Sequence, residues 1–302
     1  MWNLQMMGKH KVQSRTWAWP LIGFLLIGGL IVSGCAEKST EEWVQDLKSR
    51  DETIRRHAAL ELLKKPKKET VPSLIKAVRT GDKEMQYVSV QLLGKLRDPE
   101  TEDIFVALLD SPNEHIRGAA AEALGNLKIP TVTDPLLRCL KDSSSVVRRK
   151  ASMSLWDCED PRVMAALIDA MSDTVFEVRR NALVSLARAW PMLREPAAKD
   201  SLLSAIEGAL DDEAAEVRYV AVQLAGSMRD VPAVPALIRR LSDENGSVRA
   251  KAARALGEIG DDRALPHLEK LMRSGLEAES EAARWALEQI TGIPHGAEGK
   301  TE

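Results

Sequence analysis

The side chains best suited to hold a metal or to attack as nucleophiles are few in this chain of 302 residues: His10, His57, His115, His267 and His295, with Cys35, Cys139 and Cys158. A zinc or iron centre needs His, Cys or carboxylate ligands one helical turn apart or in short paired loops. No His here is followed directly by Glu, and no two His or Cys residues stand at ligand spacing. A glycine-rich phosphate loop and a nucleophile elbow are also missing from the sequence. The expectation is a chain that binds rather than catalyses, with no metal, no cofactor and no small-molecule substrate, and with solvated or locally bonded His residues. Cys139 and Cys158 replace apolar residues of repeating columns, Ala77, Leu108 and Ala170 for the first and Leu96, Leu127 and Ile259 for the second. Both read as buried thiols. A disulfide between them stays open, because spacing alone does not say whether the sulfurs meet.

Cys35 stands apart because of what precedes it. The first 34 residues hold Lys9, Lys11 and Arg15 and no acid, and Leu21 to Val32 is an apolar run of twelve. A membrane span needs about 20 such residues, so this run reads as the core of a signal peptide. It leads into Val32-Ser33-Gly34-Cys35, which resembles the bacterial lipobox. That resemblance implies a diacylglycerol on the Cys35 sulfur, cleavage before it, and acylation of the new N-terminus. Two or more acyl chains anchor a protein stably where one does so marginally. The alternative is an ordinary secretory signal with a chance Cys. Residue 36 is Ala rather than Asp, which favours the periplasmic face of the outer membrane, with the inner membrane and cell surface left open. The expected organisation is a removed signal peptide at 1–34, a lipidated tether at 35–39, a helical array at 40–291 and a polar tail at 292–302. Only Ala36 to Lys38 separate the anchor from the array, about 10 Å at full extension.

What positions these residues is a repeat. Aromatics are only 4% of a chain that is 44% apolar, so its core is built from Ala, Leu, Val and Ile, as in thin stacks of helices. Ile54, Met85, Ile116, Val147, Val178, Val217, Val248 and Glu279 follow one another at intervals of 31, except for one of 39. Ala occupies the position four residues after almost every anchor, and Leu the position eight after, which places all three on one helical face. Five residues before the anchors stand Ser49, Thr80, Ser111, Asp142, Asp173, Asp212, Asp243 and Ser274, all N-cap types, so a first helix is expected to start there. Its end is expected near Gly94, Gly125, Gly226 and Gly257. A second helix, with Pro72, Pro235 and Pro266 in its first turn, buries Leu74, Phe105, Leu136, Leu167, Ile206, Leu237 and Leu268. A lone second helix at Ser39–Leu47 and a lone first helix near 275–290 would close the ends. Each hairpin buries its apolar face only by stacking on the next.

These units resemble HEAT repeats of the short, phycobilisome-lyase type, most clearly in VRAKAARALGEIGD from Val248 to Asp261. The resemblance implies an all-α fold, a right-handed superhelical solenoid of helical hairpins. It also implies a structural ladder of Asp and Arg between repeats, here Arg55, Arg117, Arg148, Arg179, Arg218 and Arg249, broken by Gln86 and Ser280. HEAT-repeat deoxyhypusine hydroxylases bind iron through His-Glu pairs, which this chain lacks. Bilin lyases, after which the subtype is named, act on cytosolic proteins, whereas this chain carries an export signal.

In HEAT solenoids the second helices line the concave docking face. Two outward columns there hold Lys76, Arg79, Arg138, Lys141, Arg239, Lys270 and Arg273 against three acids, in a chain whose net charge after Gly34 is 39 bases against 45 acids. They read either as bases offsetting helix dipoles or as a surface for an acidic partner. Eight extra residues fall within Ala187 to Asp200, where Trp190 either covers the lengthened corner or offers an apolar contact. The overall charge gives no reason to expect nucleic acid. The expected function is a lipid-anchored scaffold for envelope proteins. An accessory for chromophore attachment and a binder of anionic envelope polymer are the alternatives.

Overall fold

A computed structural model describes residues 38–158, 160–189 and 196–294. Cys35, Trp190 and His295, with the leader before Cys35 and the end of the tail, lie outside the described residues. Ser39–Glu302 forms a compact unit of its own. Among the described residues there are α-helices and short 3-10 turns but no strand, and no helix is long and apolar enough to cross a membrane.

Helix α1 (Thr40–Asp46) stands alone, capped by a reciprocal box between Ser39 and Glu42. Seven hairpins follow: α2 (Glu52–Lys64) with α3 (Lys67–Thr80), α4 (Lys83–Leu96) with α5 (Glu102–Leu108), and α6 (Glu114–Leu127) with α7 (Thr133–Cys139). Next come α8 (Ser145–Ser154) with α9 (Pro161–Ala170), α10 (Phe176–Ala189) with α11 (Pro196–Ala209), α12 (Ala215–Ser227) with α13 (Val234–Arg240), and α14 (Gly246–Ile259) with α15 (Leu265–Met272). Helix α16 (Glu277–Thr291) closes the series. The Ala and Leu columns of the first helices and the Leu74-to-Leu268 column of the second helices are buried throughout, and Ser89 is a buried hydroxyl among the Ala residues.

Three local expectations need correction. First helices begin two residues later than expected: Asp51, Asp82, Asn113, Ser144 and Asn245 are the actual caps, each accepting a backbone N–H of the first turn. The column assigned to capping does different work. Asp142, Asp173, Asp212 and Asp243 each accept the N–H two residues on, at 2.8, 2.9, 2.8 and 3.0 Å, and so shape the corner before the helix. The same carboxylates receive the preceding repeat's arginine: Arg117 to Asp142 at 2.9 Å, Arg148 to Asp173 at 2.6 Å, Arg179 to Asp212 at 2.7 Å and Arg218 to Asp243 at 2.7 Å. Each arginine also donates to the carbonyl at its own corner, as Arg218 does to Asp212 at 2.9 Å. The last rung substitutes Glu279 for Asp and meets Arg249 at 2.7 Å. The ladder is therefore continuous from Arg117 to Glu279.

Second, the first helices do end near Gly94, Gly125, Gly226 and Gly257, one or two residues beyond each, but the glycines lie within the last turn and do not cap it. They let neighbouring first helices touch. A Cβ at Gly226 would stand 2.7 Å from Ala255 Cα, and one at Gly257 would stand 2.7 Å from Ala286 Cα. The chain turns instead at left-handed residues just beyond the helices, Arg97, Lys128 and Gly260 among them. Third, Pro72 sits in the middle of α3 rather than in its first turn, because α3 begins early at Lys67; Pro235 and Pro266 are at the helix starts as expected.

One buried carboxylate is stranded. At the corners after α4, α8 and α14, Asp98, Asp160 and Asp261 accept the N–H two residues on. At the corner after α12 the equivalent residue is Asp230, and the residue two on is Pro232, which has no N–H to give. Asp230 is 2% exposed and neither carboxylate oxygen has a hydrogen-bond partner. Burial, and next the Glu207 charge, hold its carboxyl above the usual range.

Candidate functional site

All fourteen positions of the two outward columns on the second helices are exposed. Their charges differ in what they meet. Arg239 pairs with Asp211 at 3.0 Å across one repeat, and Arg273 pairs with Glu269 at 3.1 Å within α15. Lys76, Arg79, Arg138, Lys141 and Lys270 make no ion pair among the described residues. The seven bases therefore do not form one uniform strip: two are neutralised locally, and the free ones gather on α3, α7 and α15.

Arg138 and Lys141 stand beside a roomy cleft. A cleft of about 780 Å³ between α7 and α9 is lined by these two bases, Asp134 and Arg162 on its rim, and Ala165, Ala166 and Ala170 on its floor. A second cleft of about 560 Å³, between α9 and α11, shares Ala165 and Asp169 with the first and continues to Asp200, Ser201 and Ser204. A narrower space of about 290 Å³ opens beside it at Ala205 and Gly208 and reaches the ladder residues Arg179 and Asp212. Together these make a trough across α7, α9 and α11. Its floor is low because α9 and α11 offer Ala, Ser and Gly outward where neighbouring helices carry longer side chains. A Cβ at Gly208 would meet nothing within 4 Å, so no internal packing requires a glycine there. Arg162 is held by Asp160 at 2.6 Å and Asp134 at 2.8 Å, which leaves Arg138 and Lys141 as the trough's unneutralised cations.

Such a trough can receive a protein segment: its walls are polar, its floor is small and partly apolar, and its free charge is positive on the α7 side and negative at Asp169 and Asp200. The remaining candidate groups do not converge on it. Among the described residues no cluster of His, Cys, Asp and Glu could hold a metal. Cys139 and Cys158 are free thiols, which resolves the disulfide left open by the sequence. Burial pushes the Cys139 thiol up to about 11, so it is protonated and unreactive at neutral pH. His57 packs edge-on against Trp43, with ring centres 5.2 Å apart. The pairing of Arg239 with Asp211 was not visible in the sequence, since its partners are 28 residues apart. The run of small residues at Ala165, Ala166 and Ala170 was a readable signal that column-by-column reading passed over.

Residues 71–156, 133–209 and 203–288 match the HEAT repeats family. The chain belongs to that family. No curated protein matches it in sequence. Among solved structures, E. coli YibA is similar over 85% of this chain and 94% of its own, with a TM-score of 0.65 at 18% identity. An engineered protein is similar over 83% and 78%, with a TM-score of 0.53 at 20% identity. A chain from a complex of Kap95p with RanGDP is similar at a TM-score of 0.58 and 16% identity, over 83% of this chain and 38% of that one. At these identities the likeness is one of fold, a solenoid of HEAT-type hairpins.

Proposed function

We propose that this protein is a lipid-anchored scaffold of the bacterial cell envelope, which docks an acidic segment of a partner protein in the trough across α7, α9 and α11 and catalyses nothing. The observation that carries this reading is the pairing of unneutralised Arg138 and Lys141 with a cleft of about 780 Å³ floored by alanines. HEAT-type solenoids serve as extended binding surfaces, and the complex of Kap95p with RanGDP is one such use of the fold. Anchoring rests on the lipobox at Val32–Cys35 and the short tether that follows it.

Reversing Arg138 and Lys141 together to Glu is expected to release a partner captured with the lipidated protein from its own membranes. Both side chains are exposed, so each change should alter stability by no more than about 0.5 kcal/mol. Reversing Lys251 and Arg254 on α14, a helix that contributes nothing to the trough, should leave the partner bound. Equal loss in both double variants, or retention in both, would remove the trough from the account. The anchor is checked separately by fatty-acid labelling: Cys35→Ser should lose the label, and equal label in both proteins would refute acylation at that sulfur.

A further inference from the structure

The first repeat differs from the others in what it leaves uncovered. The anchor position is at most 3% exposed in Met85, Ile116, Val147, Val178, Val217 and Val248, but 43% exposed in Ile54, which has no complete repeat before it. On the same helix Leu60 is 52% exposed. Arg56, Leu60 and Lys64 follow one another at four-residue spacing, so one stripe of α2 carries an apolar side chain with a base one turn to either side. The bases continue past the helix end into exposed Lys67 and Lys68. Residues 48–68 hold eight bases against three acids, in a chain that is otherwise acidic. Of those three acids, Asp51 is committed to capping α2. Glu52 reaches Arg56 only at 3.5 Å with both side chains largely in solvent, a contact of little worth. Glu61 pairs with Lys64 at 2.7 Å.

We propose that this face of α2, with the adjoining lysines of α3, is a second membrane contact that binds anionic lipid headgroups. Exposed Leu60 between Arg56 and Lys64 on one helical stripe suits the boundary between headgroups and acyl chains, where the apolar group sinks and the bases remain at the phosphates. Anionic lipid draws such bases independently of a covalent anchor. The net negative charge of the rest of the chain opposes indiscriminate adhesion, so only this end should face the bilayer. The proposal rests on the lipid-anchored reading only for orientation: a tether of a few residues after Cys35 keeps α2 near the surface. The contact would then hold the array end-on, with the trough open to a partner.

The test uses the chain from residue 35 on, with Cys35→Ser so that no acyl chain contributes. It is mixed with vesicles of phosphatidylcholine alone or of equal parts phosphatidylcholine and phosphatidylglycerol, at low and high salt. The protein should sediment with the phosphatidylglycerol vesicles at low salt, not with phosphatidylcholine alone, and should be released by salt. Arg56→Glu with Lys64→Glu and Lys68→Glu should weaken that binding by at least about tenfold, with helicity unchanged by circular dichroism. Arg138→Glu with Lys141→Glu should bind as the unaltered chain does. Absence of binding to phosphatidylglycerol, equal binding to both vesicles, or equal loss in the α2 and trough variants would overturn the proposal. Since the protein used is not acylated, failure here leaves the lipobox reading standing, and failure of fatty-acid labelling leaves this one standing.

Discussion

Arg218→Ala is expected to destabilise the array by about 1.5–3 kcal/mol, because it takes the two-pronged partner from a buried carboxylate. Arg218 is 5% exposed and the Asp243 side chain 1%. Its guanidinium makes two parallel bonds to Asp243, at 2.8 and 2.7 Å, and donates to the carbonyls of Asp212 and Glu213 at 2.9 Å each. Truncation leaves the Asp243 carboxylate with only Arg240, at 3.2 Å, and the Asn245 N–H, and takes the donor from two carbonyls, whereas Arg56→Ala, at a solvent-exposed pair, should change stability by less than about 0.5 kcal/mol. The same ladder sets the response to acid. Burial alone would raise the carboxyls of Asp142, Asp173, Asp212 and Asp243, but the arginine bonds and the backbone N–H outweigh it and hold all four below their ordinary values. A carboxyl lowered in the folded state stabilises fully above its unfolded pKa of about 3.9 and loses that contribution as pH falls through the folded value. Thermal melts should therefore show a decline in stability that begins as pH approaches the carboxylate range from above and steepens below it. Arg218→Ala should show a shallower decline. A melting temperature that is flat with pH, or an Arg218→Ala melt within a degree or so of the parent, would show that the ladder contributes little.

Gly226→Ala is expected to cost about 1–3 kcal/mol by overpacking, while the same change at Gly208 should stabilise by about 0.5–1 kcal/mol through helix propensity. The difference lies in what a methyl group meets. At position 226 it would press on the α14 backbone at Ala255, 2.7 Å away, and α14 cannot retreat without stretching the Arg218–Asp243 rung. At position 208 it meets open space. Chemical denaturation of the two variants decides this, and shifts of the same sign would contradict the packing role given to the glycine column.

These glycines show how far the sequence could be read. Repetition made the buried columns legible, because seven near-copies of one hairpin average out local irregularity and leave apolar periodicity exposed. Function within a column was harder. Ser and Asp five residues before each anchor look like caps, and caps also stand three before, so residue type alone could not say which column starts the helix. Only the geometry shows that the earlier Asp serves the corner and the preceding arginine. Gly near a helix end suggests termination, and contact with the next repeat is invisible until the repeats are stacked. The bases of the second helices were found by their spacing, but Asp211 beside Arg239 and Glu269 beside Arg273 depend on side-chain reach. The trough appeared only when three helices carrying small residues were placed side by side. Asp230, in contrast, was open to inspection: its column expects an N–H two residues on, and Pro232 cannot supply one.

The central claim, that a partner docks in the trough, is tested most directly by placing a photo-crosslinking benzoylphenylalanine at Gly208, where an added side chain meets no internal neighbour, and in a second protein at exposed Gln223 on α12. Irradiation of the membrane-bound proteins should give a discrete adduct with one envelope protein from position 208 and none from 223. Adducts of the same kind from both positions, or from 223 alone, would contradict the account.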